Sequence, residues 1–286
     1  MTKKILIISA TLFEIEYLLQ KFKNLKMSKM QIDLSYIKSE NDEYENINQN
    51  EKILKKCSIF IFEKKSKNIQ IFVFYTGMGK NNATKNLDAF LQFYRQNLGD
   101  ESFDKIFLIG ISLSINGILK IGDIVEPNIV VYEDEKIELF KKDRETILLT
   151  VDKFVDIEKK YEILKKNKFK NLEVVDMETF YWVKSFSTFY KKFDMNNINI
   201  FKCIGNELDY KFSDIFINSE KQLKPTICEF ITNNKKMNYE YLKILLKNFK
   251  YNIFKVFKQI KQIRTFKKNF YLARKNLSEF ILERIL

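Results

Sequence analysis

The amino-acid sequence predicts an α/β protein in which a single mixed sheet is flanked by helices and followed by a C-terminal helical extension. Three observations predict it. Apolar runs of strand length, such as Lys4-Ile-Leu-Ile-Ile-Ser-Ala10 and Lys105-Ile-Phe-Leu-Ile-Gly110, lack polar alternation, as strands buried on both faces do. These runs alternate with amphipathic segments of helical period, which places helices on both sides of one sheet. From about Lys236 the composition changes, and thirteen Lys and Arg residues stand against Glu240, Glu279 and Glu283.

The elements follow in order. After the first strand, Leu12 to Phe22 sets Ile15, Leu18, Leu19 and Phe22 at helical spacing. Residues 38–56, rich in Asn, Glu and Lys, read as a solvated loop, and Ser58 to Phe62 and Ile69 to Tyr75 as strands. Thr76-Gly-Met-Gly79 opens a helix from about Lys80 to Leu98, and Lys105 to Gly110 is the next buried strand. Strands are expected at Asp123 to Tyr132, Thr146 to Val151, Leu172 to Asp176 and Asn199 to Ile204, with helices at Ile157 to Lys166 and Glu178 to Tyr190. Residues 1–235 form one domain in this reading and 236–286 a basic amphipathic extension. In the extension Leu242, Leu245, Leu246, Phe249 and Ile253 recur at three- and four-residue intervals, and a second helix is expected over Phe270 to Leu286.

Composition narrows the chemistry. The chain has 286 residues, 45% of them hydrophobic, which is enough for a full core. Its formal charge of +13 suggests an anionic partner or simply a Lys- and Asn-rich residue usage. Cys57, Cys203 and Cys228 are odd in number and form no CxxC, so neither a disulfide framework nor a zinc site is indicated, and a reducing, cytoplasmic setting is expected. The apolar run from Ile5 to Ala10 is too short for a secretory signal core. The chain contains no histidine, which removes the usual general base, the Ser-His and Cys-His pairs and the commonest metal ligand. Any catalysis is left to carboxylates, hydroxyls, amides, Lys or Cys, and no metal or cofactor is expected.

Five segments in a fixed order carry a resemblance to a known family. They are Ile7-Ile-Ser-Ala-Thr-Leu-Phe-Glu-Ile-Glu16, Tyr75-Thr-Gly-Met-Gly-Lys-Asn-Asn-Ala83, Leu119-Lys-Ile-Gly-Asp-Ile-Val125, Val175-Asp-Met-Glu178 and Phe201-Lys-Cys-Ile-Gly-Asn-Glu-Leu-Asp209. Together they resemble the methylthioadenosine/S-adenosylhomocysteine nucleosidase branch of the nucleoside phosphorylase superfamily. The third is the nearest match, similar to that family's L-K-hydrophobic-GD-hydrophobic-V segment.

The resemblance implies a nucleoside phosphorylase-like fold, a purine-nucleoside N-ribosyl hydrolase acting in nucleoside metabolism, a small-molecule nucleoside as ligand, and a homo-oligomer. It implies that Glu14 orients and deprotonates the attacking water. Glu178 would grip the ribose hydroxyls, with Met177 packed on the sugar, while Phe154 and Val155 fall where the family holds the base. Plainer readings stand beside these: a helix-start acid for Glu14, a cap and core filler for Glu178 and Met177, and ordinary core for Phe154 and Val155.

Two departures matter. The family's catalytic aspartate, which protonates N7 of the leaving purine, corresponds to Asn206, an amide that can donate a hydrogen bond but cannot deliver a proton. Where the family has T-G-(S/V)-A-G-G-L, this chain has Ile109-Gly-Ile-Ser-Leu-Ser-Ile115, so Leu113 and Ser114 replace two glycines and reshape the base pocket. Two functions therefore stay open: an active nucleosidase with a partly degenerate site, or a catalytically inactive homologue that binds a nucleoside or serves as an interaction module. For the basic C-terminal tail, a nucleic-acid or membrane-surface contact ranks below a helix pair packed on the domain with a solvated basic face.

Overall fold

The first apolar run forms strand β1 (Lys3–Ser9), and its lack of alternation has a direct cause. Leu6 and Ile8 face one apolar cluster while Ile5 and Ile7 face another, so both sides of the strand are covered. The computed structural model describes residues 2–22, 25–33, 56–98, 103–115, 118–140, 145–153, 155, 163, 172–189, 195–207, 265 and 268–285. Within these, β1 is followed by α1 (Leu12–Lys21), β2 (Lys26–Asp33), β3 (Lys56–Lys64), β4 (Ile69–Tyr75), α2 (Lys80–Leu98) and β5 (Lys105–Ser114). Then come β6 (Ile124–Val125), β7 (Ile129–Tyr132), β8 (Glu135–Glu138), β9 (Ile147–Thr150), β10 (Leu172–Asp176), α3 (Thr179–Phe189) and β11 (Ile198–Glu207). A last helix, α4, runs over 268–285.

The strands make one mixed sheet in the order β2-β3-β4-β1-β5-β10-β9-β7-β8, and β11 pairs with β5 and β6 off that path. Strand β5 is where the sheet branches. Its first half runs parallel to β1, and its whole length from Ile106 onward runs parallel to β11. Its last two residues, Leu113 and Ser114, pair antiparallel with Val175 and Val174 of β10. Where β1 stops, β10 takes its place, and the ends of β1, β5, β10 and β11 gather in one region.

Helices α2 and α3 cover one face, burying Phe90, Tyr94, Trp182 and Phe186 with Leu6, Ile8 and Phe74. Helices α1 and α4 cover the other, where Ala273, Leu277, Ile281 and Ile285 recur every four residues and pack with Ile15 and Leu18. This is the single mixed sheet flanked by helices that the sequence predicts, and the helix expected over Phe270 to Leu286 is present as α4. The loop expected over 38–56, the helix at 157–166 and the first tail helix lie outside the described residues, apart from single positions. Strands β2 and β8 go beyond what the sequence pattern predicts. The hairpin β7–β8 turns at Glu133 and Asp134, with Glu133 at φ 52, and this pair lacks the Asn-Gly or Asp-Gly signal of such turns. Pro127, which has no N–H to donate, separates β6 from β7 where the sequence pattern predicts one strand.

Arg274 of α4 ties the last helix to the first. Its Nη1 donates to the Phe13 carbonyl (2.9 Å) and to Glu16 Oε2 (3.1 Å), and the guanidinium lies 3.9 Å from the centre of the Phe13 ring. Phe270 stacks on the same ring at 5.1 Å. Glu16 is half exposed, so most of the value lies in the part-buried carbonyl bond and the ring contact. Arg274→Met is expected to destabilise the protein by about 1–3 kcal/mol, read from the urea midpoint. An unchanged midpoint would show that α4 is held by its apolar face alone.

Candidate functional site

Helix α1 starts immediately after β1, with Thr11 as its N-cap and Glu14 as the third helical residue, a capping box written in the sequence as T-x-x-E. The Glu14 carboxylate does more than cap. Oε2 accepts from Ser9 Oγ (2.7 Å) and Thr11 N (3.0 Å), while Oε1 accepts the Ile111 N–H of β5 (3.0 Å). A buried carboxylate is thus fixed from two strands and its own helix start.

Across the branch, Asp176 ends β10. Its carboxylate accepts from Thr150 Oγ1 (2.8 Å) and from the backbone N–H and hydroxyl of Thr179, so it caps α3. Asp176 Oδ2 also lies 2.8 Å from Lys202 Nζ, and both side chains are at most 2% exposed. The Lys202 ammonium stands 5.0 Å from the centre of the Trp182 ring. A Cβ on Gly110 would come within 2.9 Å of Lys202 Nζ and 3.4 Å of Glu14 Oε1, so the absence of a side chain there lets the ammonium approach the carboxylate.

Glu178 follows in the turn between β10 and α3. Its Oε1 accepts the Gly79 N–H (2.9 Å) just ahead of α2. Gly77 and Gly79 have φ of 94° and 81°; around Gly79 there is room for a side chain, so its requirement is conformational. The Glu178 carboxyl is pushed up to about 8, chiefly by burial and then by the neighbouring Asp176 charge. The Gly79 N–H and Lys202 pull it back in part, and Glu14 adds a smaller upward push. Three carboxyl groups surround one ammonium, and the Glu178 carboxyl ionises only as the pH rises through about 8. Such a site accepts hydrogen bonds from hydroxyls and favours positive charge developing on a ligand.

Of the residues singled out from the sequence, Glu14 and Glu178 are brought into this cluster. Met177 is half-buried beside Glu178. Val155 is buried in a separate apolar cluster with Ile129, Val131 and Ile147, and Phe154 lies outside the described residues. The Asn206 backbone pairs with Leu113 just past an irregularity in β11 between Ile204 and Asn206, and its side chain lies outside the described residues. Sequence reasoning passed over Asp176 and Lys202. The signal was present in Lys202, a charge between Phe201 and Cys203 inside an apolar strand, which demands a buried partner. Cys203 is no nucleophile candidate: burial, then the Asp123 charge, push its thiol up to about 12.

Comparison with solved structures adds the fold's relatives. The structure is similar to the native futalosine hydrolase of Helicobacter pylori strain 26695, with a TM-score of 0.51 and 16% identity over 73% of this chain and 86% of that one. It is similar to an aspartate-to-asparagine variant of Helicobacter pylori MTAN with 5'-methylthioadenosine in the active site, with a TM-score of 0.50 and 17% identity over 77% and 91%. The 5'-methylthioadenosine/S-adenosylhomocysteine nucleosidase from Neisseria meningitidis, in complex with methylthio-immucillin-A, also matches (TM-score 0.49, 16% identity, 72% and 87%). The chain has the nucleosidase fold. No protein-family model matches the sequence, and no curated protein does.

Two expectations follow from the charges. Lys202→Met leaves Asp176 buried and unpaired and is expected to cost about 3–5 kcal/mol, most of it recovered by adding Asp176→Asn; a double-mutant cycle in urea measures both. Non-recovery would mean that the pair is not what holds β10 against β11. Glu178 titrates higher in the folded protein than in the unfolded chain, so the fold retains a proton there. Its stabilising contribution is full below about pH 4.5 and is lost as the pH rises through about 8. Thermal melts of wild type and Glu178→Gln should diverge over that window, with the variant gaining on wild type toward alkaline pH, and parallel curves would count against it.

Proposed function

We propose that this protein is a purine-nucleoside N-ribosyl hydrolase of nucleoside metabolism, acting on a purine nucleoside or a thionucleoside such as methylthioadenosine. The observation that carries this reading is the meeting of Glu14 and Glu178, from opposite parts of the chain, in one buried cluster within a nucleosidase fold. In hydrolysis a water attacks C1′ of the ribose, the bond from C1′ to the base nitrogen breaks, and its electron pair leaves with the base. Glu14, held by Ser9, Thr11 and Ile111, takes the proton from the water. Glu178 accepts hydrogen bonds from the ribose hydroxyls, Met177 packs on the sugar, and Phe154 and Val155 adjoin the base. The negative cluster favours the oxocarbenium-like transition state. A homo-oligomer and a division at 1–235 and 236–286 belong to the same reading.

A second reading rests on Asn206. At that position the departing base gains a hydrogen bond but no proton, which describes a nucleoside-binding homologue that turns over slowly or not at all. The neighbouring Helicobacter pylori variant, which carries an asparagine for an aspartate, holds 5'-methylthioadenosine in its active site, and this supports binding without requiring turnover.

Base release from a panel of purine nucleosides, with calorimetric binding of the same panel, tests both readings. Asn206→Asp is expected to raise hydrolysis by a factor within about 10²–10⁴, and the gain should vanish in combination with Glu14→Gln. A fast wild type with no gain from Asn206→Asp would rule out the binding-only reading. No binding of any nucleoside by either form would remove the functional reading and leave the fold. Nucleoside affinity should also rise with pH toward about 8, because the hydroxyls need an ionised Glu178, and Glu178→Gln should flatten that dependence and weaken binding.

A further inference from the structure

Ser112 lies on β5 between Gly110 and Ser114, one side chain along the face from the point where Lys202 and Glu14 approach each other. On one side it pairs with Ile204 of β11. On the other, β10 pairs Val174 with Ser114 and Val175 with Leu113, which sets Asp176 next along β10 toward it. The residue is only 5% exposed, and among the described residues its hydroxyl has no hydrogen-bond partner. A buried hydroxyl left in this way costs stability, and alanine, which removes only that oxygen, would fit the same space. Along β5, Ser112 falls between Gly110, at the charged cluster, and Leu113, level with the Asn206 backbone. A ligand spanning the two would pass beside it.

We propose that Ser112 determines which nucleosides the site accepts, by hydrogen-bonding a polar group on the base. This rests on the nucleoside-binding reading above. A site that leaves a buried hydroxyl for the ligand to satisfy rejects analogues lacking the matching group, because the hydroxyl then stays unpaired in the complex. The stability cost in the empty protein is the counterpart of that selectivity.

The test measures calorimetric affinities of wild type and Ser112→Ala for adenosine, inosine, purine riboside and guanosine, which all keep N7, together with the melting temperature of each empty protein. Wild type should separate the four by at least about tenfold, and Ser112→Ala should narrow the spread to about twofold while melting at the same temperature or higher. If wild type discriminates and Ser112→Ala keeps the same ranking and spread, the role of Ser112 is overturned while nucleoside binding stands. That role is equally overturned if wild type binds all four alike, or if the empty Ser112→Ala protein melts clearly lower, since the hydroxyl would then have a structural partner. If wild type binds none of the four, the nucleoside-binding reading fails and this inference fails with it.

Discussion

The buried pair between Lys202 and Asp176 is the interaction on which the site depends. It spans the gap between β11 and β10 at the point where β5 has β11 on one side and begins to pair with β10 on the other. Ion pairs out of water seldom repay their desolvation in stability, and an apolar pair of similar size would often serve the fold as well or better. Several devices must hold this one in place. Asp176 is fixed by Thr150 and the start of α3, the ammonium lies beside the Trp182 ring, and Gly110 leaves it room. Each is supplied by a different element, so moving any one of them moves the charge that offsets the carboxylates.

The branching of the sheet explains why the polar groups gather here. Along most of its length β1 is buried on both faces and admits only apolar side chains. Where β1 ends at Ser9, the neighbouring strands part, and the crevice beyond the strand ends is where ligands bind in open α/β sheets. Backbone N–H groups at this end, those of Thr11, Gly79, Ile111 and Thr179, are satisfied by carboxylates and not by further strand pairing. The acidic residues thus complete the hydrogen bonding of three helix starts and one strand while they build the charged cluster, so the capping roles of Glu14 and Glu178 and their proposed catalytic roles draw on the same carboxyl groups.

That double use also sets how much could be read from the sequence. The long apolar strands, the helix after Gly79 and the periodic face of α4 were legible because burial on a sheet imposes a pattern within a single segment. Strand β8, three-quarters charged, carries no such pattern, and β2 owes its place to pairing with β3 rather than to its own composition. Glu14 and Glu178 were legible through the motifs around them. Asp176 and Lys202 were not linked, because their pairing depends on β10 running antiparallel to the end of β5, a fact of topology that no local spacing records. Ser112 was invisible for a related reason: a serine in a strand is unremarkable until its neighbours on three strands are known.

The electrostatics also separate binding from turnover. Burial, then the neighbouring Asp176 charge, push the Glu178 carboxyl up to about 8, so at neutral pH it holds its proton beside the Lys202 ammonium. If Glu178 takes the ribose-binding role proposed above, a ligand presenting two vicinal hydroxyls supplies hydrogen bonds to its ionised form, and ligand uptake and proton release are then coupled. Asn206 stands apart from that exchange, at the far end of β11 beyond its irregularity and level with Leu113. Under the proposed mechanism, an amide in place of an aspartate there alters the fate of the departing base and leaves the contacts of Glu178 with the sugar untouched. On the proposed reading, a protein of this construction can retain nucleoside affinity without a leaving-group acid, which is why affinity and base release have to be measured as separate quantities.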